Sequence, residues 1–156
     1  MIDKYFLNNI SQLFKEKDYN KVILNIEQNI KINDRTPDLL NIRGVSRLLK
    51  KNNDKLDIIS ALNDFELYYI KSKKKFQKIE AVCNFITTCV VNSQKYVEII
   101  PLFVKAKKLF EECISEFGYD EKLYIRGADL YKYTLDHSKN RTLLNELIKN
   151  KTKSKI

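Results

Sequence analysis

The residues best suited to chemistry in this sequence are three cysteines and one histidine, and their spacing fits no common catalytic or metal site. Cys83, Cys89 and Cys113 lack the Cys-X-X-Cys spacing and the partner histidines of a zinc site. They recur among apolar residues at helical spacing, which is typical of small buried side chains in a reducing compartment. His137 follows Asp136 beside an expected turn, where we interpret it as a solvated capping residue.

Acidic pairs and glycine motifs give no better support for catalysis. Glu111-Glu112 and Asp64-Glu66 fall in amphipathic stretches, where we expect solvated helix faces or ion pairs with nearby lysines. The sequence contains neither a glycine-rich phosphate loop nor a nucleophile elbow. We therefore predict no enzymatic activity, no cofactor and no metal, with the non-catalytic targeting domain of a larger enzyme as an alternative.

Positive charge is the strongest bias in the composition. Lysine and arginine number 29 against 20 acidic residues, which gives a formal charge of +9. Such charge attracts nucleic acid, anionic membranes or acidic peptides. Lysine, asparagine and isoleucine are all abundant and all have A/T-rich codons, so genome bias is the alternative explanation for much of the excess of lysine. The densest run, residues 71–75, is expected to be a solvated turn between helices. The alternative is an anion patch formed by Lys71, Lys73, Lys74 and Lys75.

Hydropathy patterning indicates a cytoplasmic protein. Residues 1–10 lack the basic and apolar regions of a signal peptide. No run approaches the roughly 20 apolar residues of a membrane span. We therefore expect no membrane span.

Apolar periodicity predicts an all-α fold that would carry these side chains. Apolar residues make up 44% of the chain, only three glycines and two prolines interrupt it, and no alternating strand pattern persists. The pattern predicts a helical domain over residues 1–150, followed by a basic, frayed tail over 151–156. The expected helical stretches are 3–16, 19–30, 38–50, 58–69, 76–92, 93–114, 121–134 and 142–150.

Capping residues and one proline refine these boundaries. The sequence Thr36-Pro37-Asp38 indicates the start of a helix. Thr36 is the expected N-cap and Pro37 the first helical residue, and the negative charge of Asp38 interacts favourably with the helix dipole. Gly118 stands where a helix end needs a positive φ. Pro101 lies inside an expected helix, so it should kink that helix or split it near residue 100.

An Ile-Arg-Gly tripeptide occurs twice, as Ile42-Arg43-Gly44 and Ile125-Arg126-Gly127, each time in the middle of the first helix of an expected pair. Glycine inside a helix costs about 1 kcal/mol relative to alanine. Two glycines at matching places therefore predict that a neighbouring helix approaches closely at both.

Turn, small and aromatic residues also recur in a common phase. Residues 14–34 contain an expected turn at Asp18-Tyr19, followed by the apolar residues Val22 and Ile26. The matching residues farther along are Leu40, Gly44, Ala61, Phe65 and Tyr68, then Thr87, Tyr96, Ile99, Phe103 and Ala106, and finally Leu123, Gly127 and Leu130. This pattern resembles the tetratricopeptide repeat, a helix-turn-helix unit of about 34 residues, in roughly four degenerate copies.

The resemblance implies a right-handed superhelical array of about four antiparallel helix hairpins. It also implies a protein-protein interaction scaffold that binds a peptide or protein segment in a concave groove. By family position, the peptide groove would be lined by Leu7, Ser11, Phe14, Asn41, Val45, Leu48, Asn84, Thr88, Val91, Tyr124, Ala128 and Tyr131.

Two partner classes are less favoured. One subgroup of the family clamps the C-terminal carboxylate of chaperones with lysine, asparagine and arginine. Here the equivalent positions are Leu7, Ser11, Asn84, Glu121 and Ile125, so only Asn84 could match and chaperone tails are not expected. Nucleic acid or another polyanion is the other alternative, but arginine is scarce and no RNA-module signature occurs.

Overall fold

The stretches with helical apolar periodicity form α-helices in the computed structural model, which describes residues 2–154. Within that range the chain forms eight α-helices and two 3-10 turns, and no strand. The all-α prediction is confirmed. No helix among these residues is long and apolar enough to cross a membrane. The helices are α1 (Lys4–Lys15), α2 (Tyr19–Asn29), α3 (Pro37–Leu49), α4 (Lys55–Lys71), α5 (Lys75–Asn92), α6 (Leu102–Phe117), α7 (Glu121–Tyr133) and α8 (His137–Ser154).

The chain divides into two compact units. Met1–Ser72, the N-terminal unit, contains α1 to α4, and Lys73–Ile156, the C-terminal unit, contains α5 to α8. In the N-terminal unit, α1 packs on α2, α2 on α3 and α3 on α4. In the C-terminal unit, α7 packs on α5, α6 and α8, and α5 also packs on α6.

Ion pairs show that three pairs of sequential helices run antiparallel, namely α3 and α4, α5 and α6, and α7 and α8. Arg43 on α3 pairs with Asp64 on α4, whereas the later Lys50 pairs with the earlier Asp57. In the C-terminal unit, residues near the start of α5 pair with the end of α6, and the start of α7 pairs with the end of α8. Three of the predicted helix hairpins are therefore present as local structures.

Each unit has its own apolar interior. In the N-terminal unit, Ile10, Val22, Ile26 and Leu39 form a buried cluster. In the C-terminal unit, a series of residues at helical spacing over the 3-10 turn and α6 is buried. Its members are Ile99, Phe103, Ala106, Phe110 and Cys113.

The predicted capping residues lie where expected. Thr36 Oγ1 accepts a hydrogen bond from the Leu39 backbone N–H at 3.4 Å, and Pro37 is the first residue of α3. Gly118 ends α6 with φ 72° and ψ −148°, a conformation that essentially only glycine adopts. These short-range predictions are confirmed.

Both glycines of the repeated tripeptide permit a close helix contact. A Cβ at Gly44 would lie 2.8 Å from Phe65 Cε1 on α4. A Cβ at Gly127 would overlap the Phe110 ring on α6 and lie 3.1 Å from Leu143 Cδ1 on α8. The predicted close approach is confirmed at both positions.

Pro101 separates a 3-10 turn from a helix. The turn spans Val97–Ile99, and α6 begins at Leu102, directly after the proline. Proline lacks the N–H that an interior helical position would need, but the start of a helix does not require it. The expected continuous helix over 93–114 is therefore wrong in its first turns, and the predicted split near residue 100 is confirmed.

The last helix is longer than its apolar pattern indicates. It runs from His137 to Ser154 rather than from 142 to 150, and the Asp136 side chain accepts a hydrogen bond from the Lys139 N–H at 3.3 Å. The first and last turns of this helix consist mainly of polar residues, so apolar periodicity does not mark them as helical. Asp136, a favourable N-cap residue, does mark the start of the helix. Residues 151–154 of the expected frayed tail belong to α8, and residues 155 and 156 lie outside the described range.

Three of the hairpin turns contain a non-glycine residue with positive φ. These are Lys17 (61°) between α1 and α2, Asn52 (55°) between α3 and α4, and Leu135 (60°) between α7 and α8. The connection between α5 and α6 instead contains the 3-10 turn and Pro101. The left-handed conformation is unfavourable for most residues with a Cβ, so the turns at Lys17 and Leu135 carry local strain, whereas asparagine tolerates this conformation better.

Candidate functional site

The predicted groove residues of the N-terminal unit lie on α1 and α3 and retain accessible surface. Leu7 and Ser11 are exposed. The other four are half-buried, namely Phe14, Asn41, Val45 and Leu48. All six therefore keep some surface for contact with a partner.

Three predicted groove residues of the C-terminal unit are buried: Thr88, Ala128 and Tyr131. Tyr131 donates its phenolic hydrogen to Glu111 Oε1 at 2.9 Å, and burial together with this bond raises the pKa of Tyr131. The Thr88 hydroxyl donates to a backbone carbonyl of α5. These three side chains are committed to internal contacts. Of the other three, Val91 is exposed, and Asn84 and Tyr124 are half-buried.

A concavity of about 810 Å³ lies in the N-terminal unit, at the start of α1 and the connection from α2 to α3. Phe6 and Ile30 belong to its lining and also pack on the buried cluster of this unit. Leu7, a predicted groove residue, lines it too and is 38% exposed. The complete lining is Ile2, Asp3, Phe6, Leu7, Asn29, Ile30, Lys31, Asp34 and Thr36.

Apolar and polar side chains together form this concavity. The apolar residues Ile2, Phe6 and Ile30 pack on the buried cluster of the unit. Leu7, Asp3, Lys31 and Asp34 are exposed. Such a surface can bury apolar groups of a ligand while charged side chains fix the ligand's orientation.

The predicted anion patch loses one member to internal hydrogen bonding. Lys71 Nζ donates to the backbone carbonyls of Asn33 at 3.2 Å and Arg35 at 2.9 Å. That ammonium group therefore anchors the connection before α3 to the end of α4. Lys73, Lys74 and Lys75 are exposed, and Lys74 Nζ lies 5.9 Å from the centre of the Phe76 ring.

A buried ion pair joins the facing sides of α3 and α4. Arg43 binds Asp64 through two parallel hydrogen bonds, of which Nε to Oδ2 measures 2.9 Å. Asp64 is only 1% exposed, so the expected solvated helix face is wrong at this residue. The alternative expectation, an ion pair, is met by Arg43 rather than by a lysine. Burial raises the pKa of Asp64, and the paired guanidinium opposes that shift.

Further charges extend this pair into a network. Asp57 accepts from Arg47 at 3.4 Å and from Lys50 at 2.9 Å, and Glu27 on α2 binds both Arg43 and Arg47. Sequence reasoning missed this network. Its signal was present, because basic residues at 43, 47 and 50 and acidic residues at 57 and 64 recur at helical spacing.

The cysteines are poor nucleophiles in this environment. Burial raises the pKa of Cys83 and Cys89 to about 12 and that of Cys113 to about 11, so the thiols are protonated at neutral pH. His137 is exposed at the start of α8. Among residues 2–154, no group of three or more His, Cys, Asp or Glu side chains could hold a metal ion.

Comparisons with protein-family models, curated proteins and solved structures found no match to this chain. The resemblance to the tetratricopeptide repeat stays a prediction based on the phase of its residues. The concavity and the exposed lysines are the features of the described residues that could contact a partner.

Proposed function

We propose that the chain is a non-catalytic interaction scaffold that binds a peptide or protein segment. The concavity of the N-terminal unit supports this proposal best, because it combines an apolar lining with charged, exposed side chains. Its 810 Å³ volume falls within the range of roughly 300–1,000 Å³ that is usual for binding clefts. As the finer description of the fold, we propose that four hairpins stack in a right-handed superhelical array of the tetratricopeptide type.

Leu7 is the residue through which the binding proposal is best tested. It lines the concavity and is accessible, so a charge there should weaken binding without opening the buried cluster. Leu24 on α2 is a matched control, because it is 51% exposed and is not among the lining residues. A partner can bury only the exposed 38% of Leu7, but a carboxylate that is desolvated in the contact without a partner costs more than about 1.4 kcal/mol, so Leu7→Asp should weaken binding at least about tenfold.

The experiment captures partners from cell extract with the full chain and compares recovery by mass spectrometry. We expect a partner that the wild type and Leu24→Asp retain and Leu7→Asp loses. Circular dichroism and thermal unfolding of both variants establish that the fold is intact. Equal recovery by the two variants would remove the concavity as the binding site.

Binding of nucleic acid or another polyanion is a second candidate, favoured by one local arrangement. The exposed lysines Lys73–Lys75 lie beside Phe76, which is 63% exposed. Cationic side chains next to an exposed aromatic ring are the combination that single-stranded nucleic acid uses for phosphate contact and base stacking.

Filter binding of a fluorescent single-stranded oligonucleotide tests this second candidate. Replacing Lys73, Lys74 and Lys75 by glutamine should weaken binding and reduce its dependence on salt. The same three substitutions at the exposed residues Lys4, Lys15 and Lys51 change the net charge equally and serve as the control. Affinity that is independent of salt would exclude phosphate contacts.

A further inference from the structure

The helix α8 carries a pair of apolar side chains that its packing leaves exposed. Leu143 and Leu147 are the buried residues of this helix, at 7% and 8% exposure, and α8 packs on α7. Leu144 and Ile148 follow them in sequence, one helical turn apart, and are 44% and 64% exposed. Successive residues of a helix are rotated by about 100°, so this second pair lies on another side of α8. Packing within the unit therefore does not explain why the pair is apolar.

Basic residues flank the exposed apolar pair along the helix. Arg141 lies three residues before Leu144, and Lys151 lies three residues after Ile148. Positions 141, 144, 148 and 151 are separated by three, four and three residues, so their side chains share one face of the helix. All four residues are exposed. This face of α8 therefore has an aliphatic centre with a cation at each end.

Most of the positive charge of α8 is not neutralised by other side chains. Residues 137–154 contain five basic residues and one acidic residue, Glu146. Lys139 binds Glu111 at 3.2 Å, and Lys151 lies 3.9 Å from Glu121. The other three basic residues are exposed and make no ion pair within residues 2–154, namely Arg141, Lys149 and Lys153.

Helix stability accounts for only part of this arrangement. Cations in the last turn of a helix interact favourably with its dipole, which applies to Lys151 and Lys153 but not to Arg141, near the other end. Single exposed aliphatic residues are common on protein surfaces. A helix that combines exposed aliphatic side chains with several lysines or arginines is typical of helices that lie on an anionic membrane.

We propose that the face of α8 formed by Arg141, Leu144, Ile148 and Lys151 docks on an anionic lipid surface. The two aliphatic side chains enter the boundary between headgroups and acyl chains, while the basic side chains contact the negatively charged headgroups. Such docking requires no membrane-spanning helix. The surface belongs to the C-terminal unit, so this proposal does not depend on the concavity of the N-terminal unit.

Three other occupants fit this face of α8 less well. Nucleic acid is anionic too, but its bases stack on aromatic rather than aliphatic side chains, so Leu144 and Ile148 would gain nothing. A second copy of the chain would bring like charges together. A stable protein interface buries about 800 Å² on each partner, which is far more than two aliphatic side chains provide. Membrane binding, in contrast, sums small contributions from separate residues.

Vesicle binding of the full chain tests the proposal. Vesicles of phosphatidylcholine alone are compared with vesicles that also contain phosphatidylserine, by co-sedimentation at low and moderate salt. We expect binding only to the anionic vesicles, with an affinity that falls as salt is raised. Binding to neither kind of vesicle, or equal binding to both, would overturn the proposal.

Substitution of the apolar pair distinguishes docking through α8 from general attraction to a basic protein. Leu144→Gln together with Ile148→Gln leaves the net charge unchanged and should weaken vesicle binding at least about fivefold. The control combines Leu24→Gln with Leu56→Gln, at leucines of the N-terminal unit that are 51% and 69% exposed, and should bind as the wild type does. Equal affinities of the two double variants would contradict docking through this face.

The basic residues are tested with a second matched pair of variants. Glutamine at Arg141, Lys149 and Lys153 should weaken binding at least about tenfold. Glutamine at three exposed lysines of the N-terminal unit removes the same net charge and should have a much smaller effect; these are Lys4, Lys15 and Lys51. Equal losses would show that only the total charge matters and would overturn the assignment to α8.

Tryptophan fluorescence measures insertion directly, because the chain contains no tryptophan of its own. Emission from Ile148→Trp should shift to shorter wavelength on anionic vesicles and be quenched by brominated acyl chains. Leu24→Trp should show neither change. Vesicle binding without quenching of Ile148→Trp would mean adhesion through charge alone, and tighter binding of a single-stranded oligonucleotide than of vesicles would assign the cations to nucleic acid. Either result would overturn the proposal.

Discussion

The two helices that share the Ile-Arg-Gly tripeptide use its glycine alike and its arginine differently. Gly44 on α3 and Gly127 on α7 each admit a phenylalanine from a neighbouring helix. Arg43 is buried and bound to Asp64, whereas Arg126 is exposed and lies 3.4 Å from Asp129 on its own helix. The repeated glycine thus reflects helix packing, and the role of the arginine depends on the acids that its surroundings provide.

The same contrast distinguishes the interiors of the two units. The N-terminal unit buries a charge network around Arg43 and Asp64. The C-terminal unit instead clusters aromatic rings, with the Phe110 centroid 5.8 Å from Tyr131 and 6.4 Å from Tyr124. Buried charges require oppositely charged partners, whereas packed rings require a complementary shape. Equivalent substitutions should therefore change the free energy of unfolding differently in the two units.

Removing the acid partner of each arginine should give the largest difference. Asp64→Ala leaves Arg43 buried without its bidentate partner, and we expect the free energy of unfolding to fall by about 3–5 kcal/mol. Asp129→Ala breaks an exposed pair and should change it by no more than about 0.5 kcal/mol. Urea unfolding of the full chain measures both. Similar losses in the two variants would contradict the contrast.

Substituting the two glycines should give the next largest effect. Alanine gains about 1 kcal/mol of helix propensity, but a Cβ overlapping a packed ring costs about 1–3 kcal/mol. The overlap is more severe at Gly127, so Gly127→Ala should destabilise the protein more than Gly44→Ala, as measured by urea unfolding. Adding Phe110→Leu should recover part of the loss in Gly127→Ala. Strict additivity of those two substitutions would argue against the contact.

The N-cap residues of α3 and α7 should differ less in their contribution to stability. Asp120 Oδ1 accepts from the Leu123 N–H at 3.0 Å, whereas Thr36 Oγ1 accepts from Leu39 at 3.4 Å. Asp120→Ala should cost about 1–2 kcal/mol and Thr36→Ala about 0.5–1 kcal/mol, because the first cap is shorter and charged. Thermal unfolding compares them, and the reverse order would show that the cap distances do not decide the loss.

The loss of stability at acidic pH should differ least between the two units. Burial acts to raise the pKa of Asp57, but hydrogen bonds from Lys50 and from the Asp54 backbone hold it below 3.8. A carboxyl with a depressed pKa stabilises the fold above its unfolded-state pKa, and that stabilisation is lost as pH falls through the folded-state value. Asp57→Asn should therefore make stability less dependent on pH below about pH 4.

Glu111 offers the matching test in the C-terminal unit. The Tyr131 hydroxyl, followed by Lys139, lowers the pKa of Glu111 below its usual 4.5. Its side chain is half exposed, so solvent weakens the effect and Glu111→Gln should flatten the acid limb less than Asp57→Asn does. Urea unfolding across acidic pH measures both slopes, and a larger change for Glu111→Gln would reverse the expected order.

Local signals predicted the helices and their ends, because capping and periodicity act between residues close in sequence. Thr36-Pro37, Gly118 and the split at Pro101 are examples. The two tripeptide glycines also predicted close contacts, because glycine inside a helix is costly without one. Polar ends hid the full length of α8 from the same reasoning.

The candidate sites depend on which helix faces meet, and the sequence specifies this only weakly. Asp64 was expected to be solvated or to pair with a nearby lysine, because spacing along one helix does not show which side chain of another helix it meets. The concavity includes Leu7 but otherwise uses residues from the ends of α1 and α2, which family positions do not mark.

The left-handed residue in the turn between α7 and α8 offers a route to a more heat-resistant protein. Leu135 is 75% exposed with φ 60°, so its side chain contributes little packing while its backbone is strained. Glycine or asparagine adopts this conformation more readily. Replacing Leu135 by either residue should raise the midpoint of thermal unfolding. Destabilising substitutions made in that variant would then leave the protein folded, so that their ligand affinities can be measured.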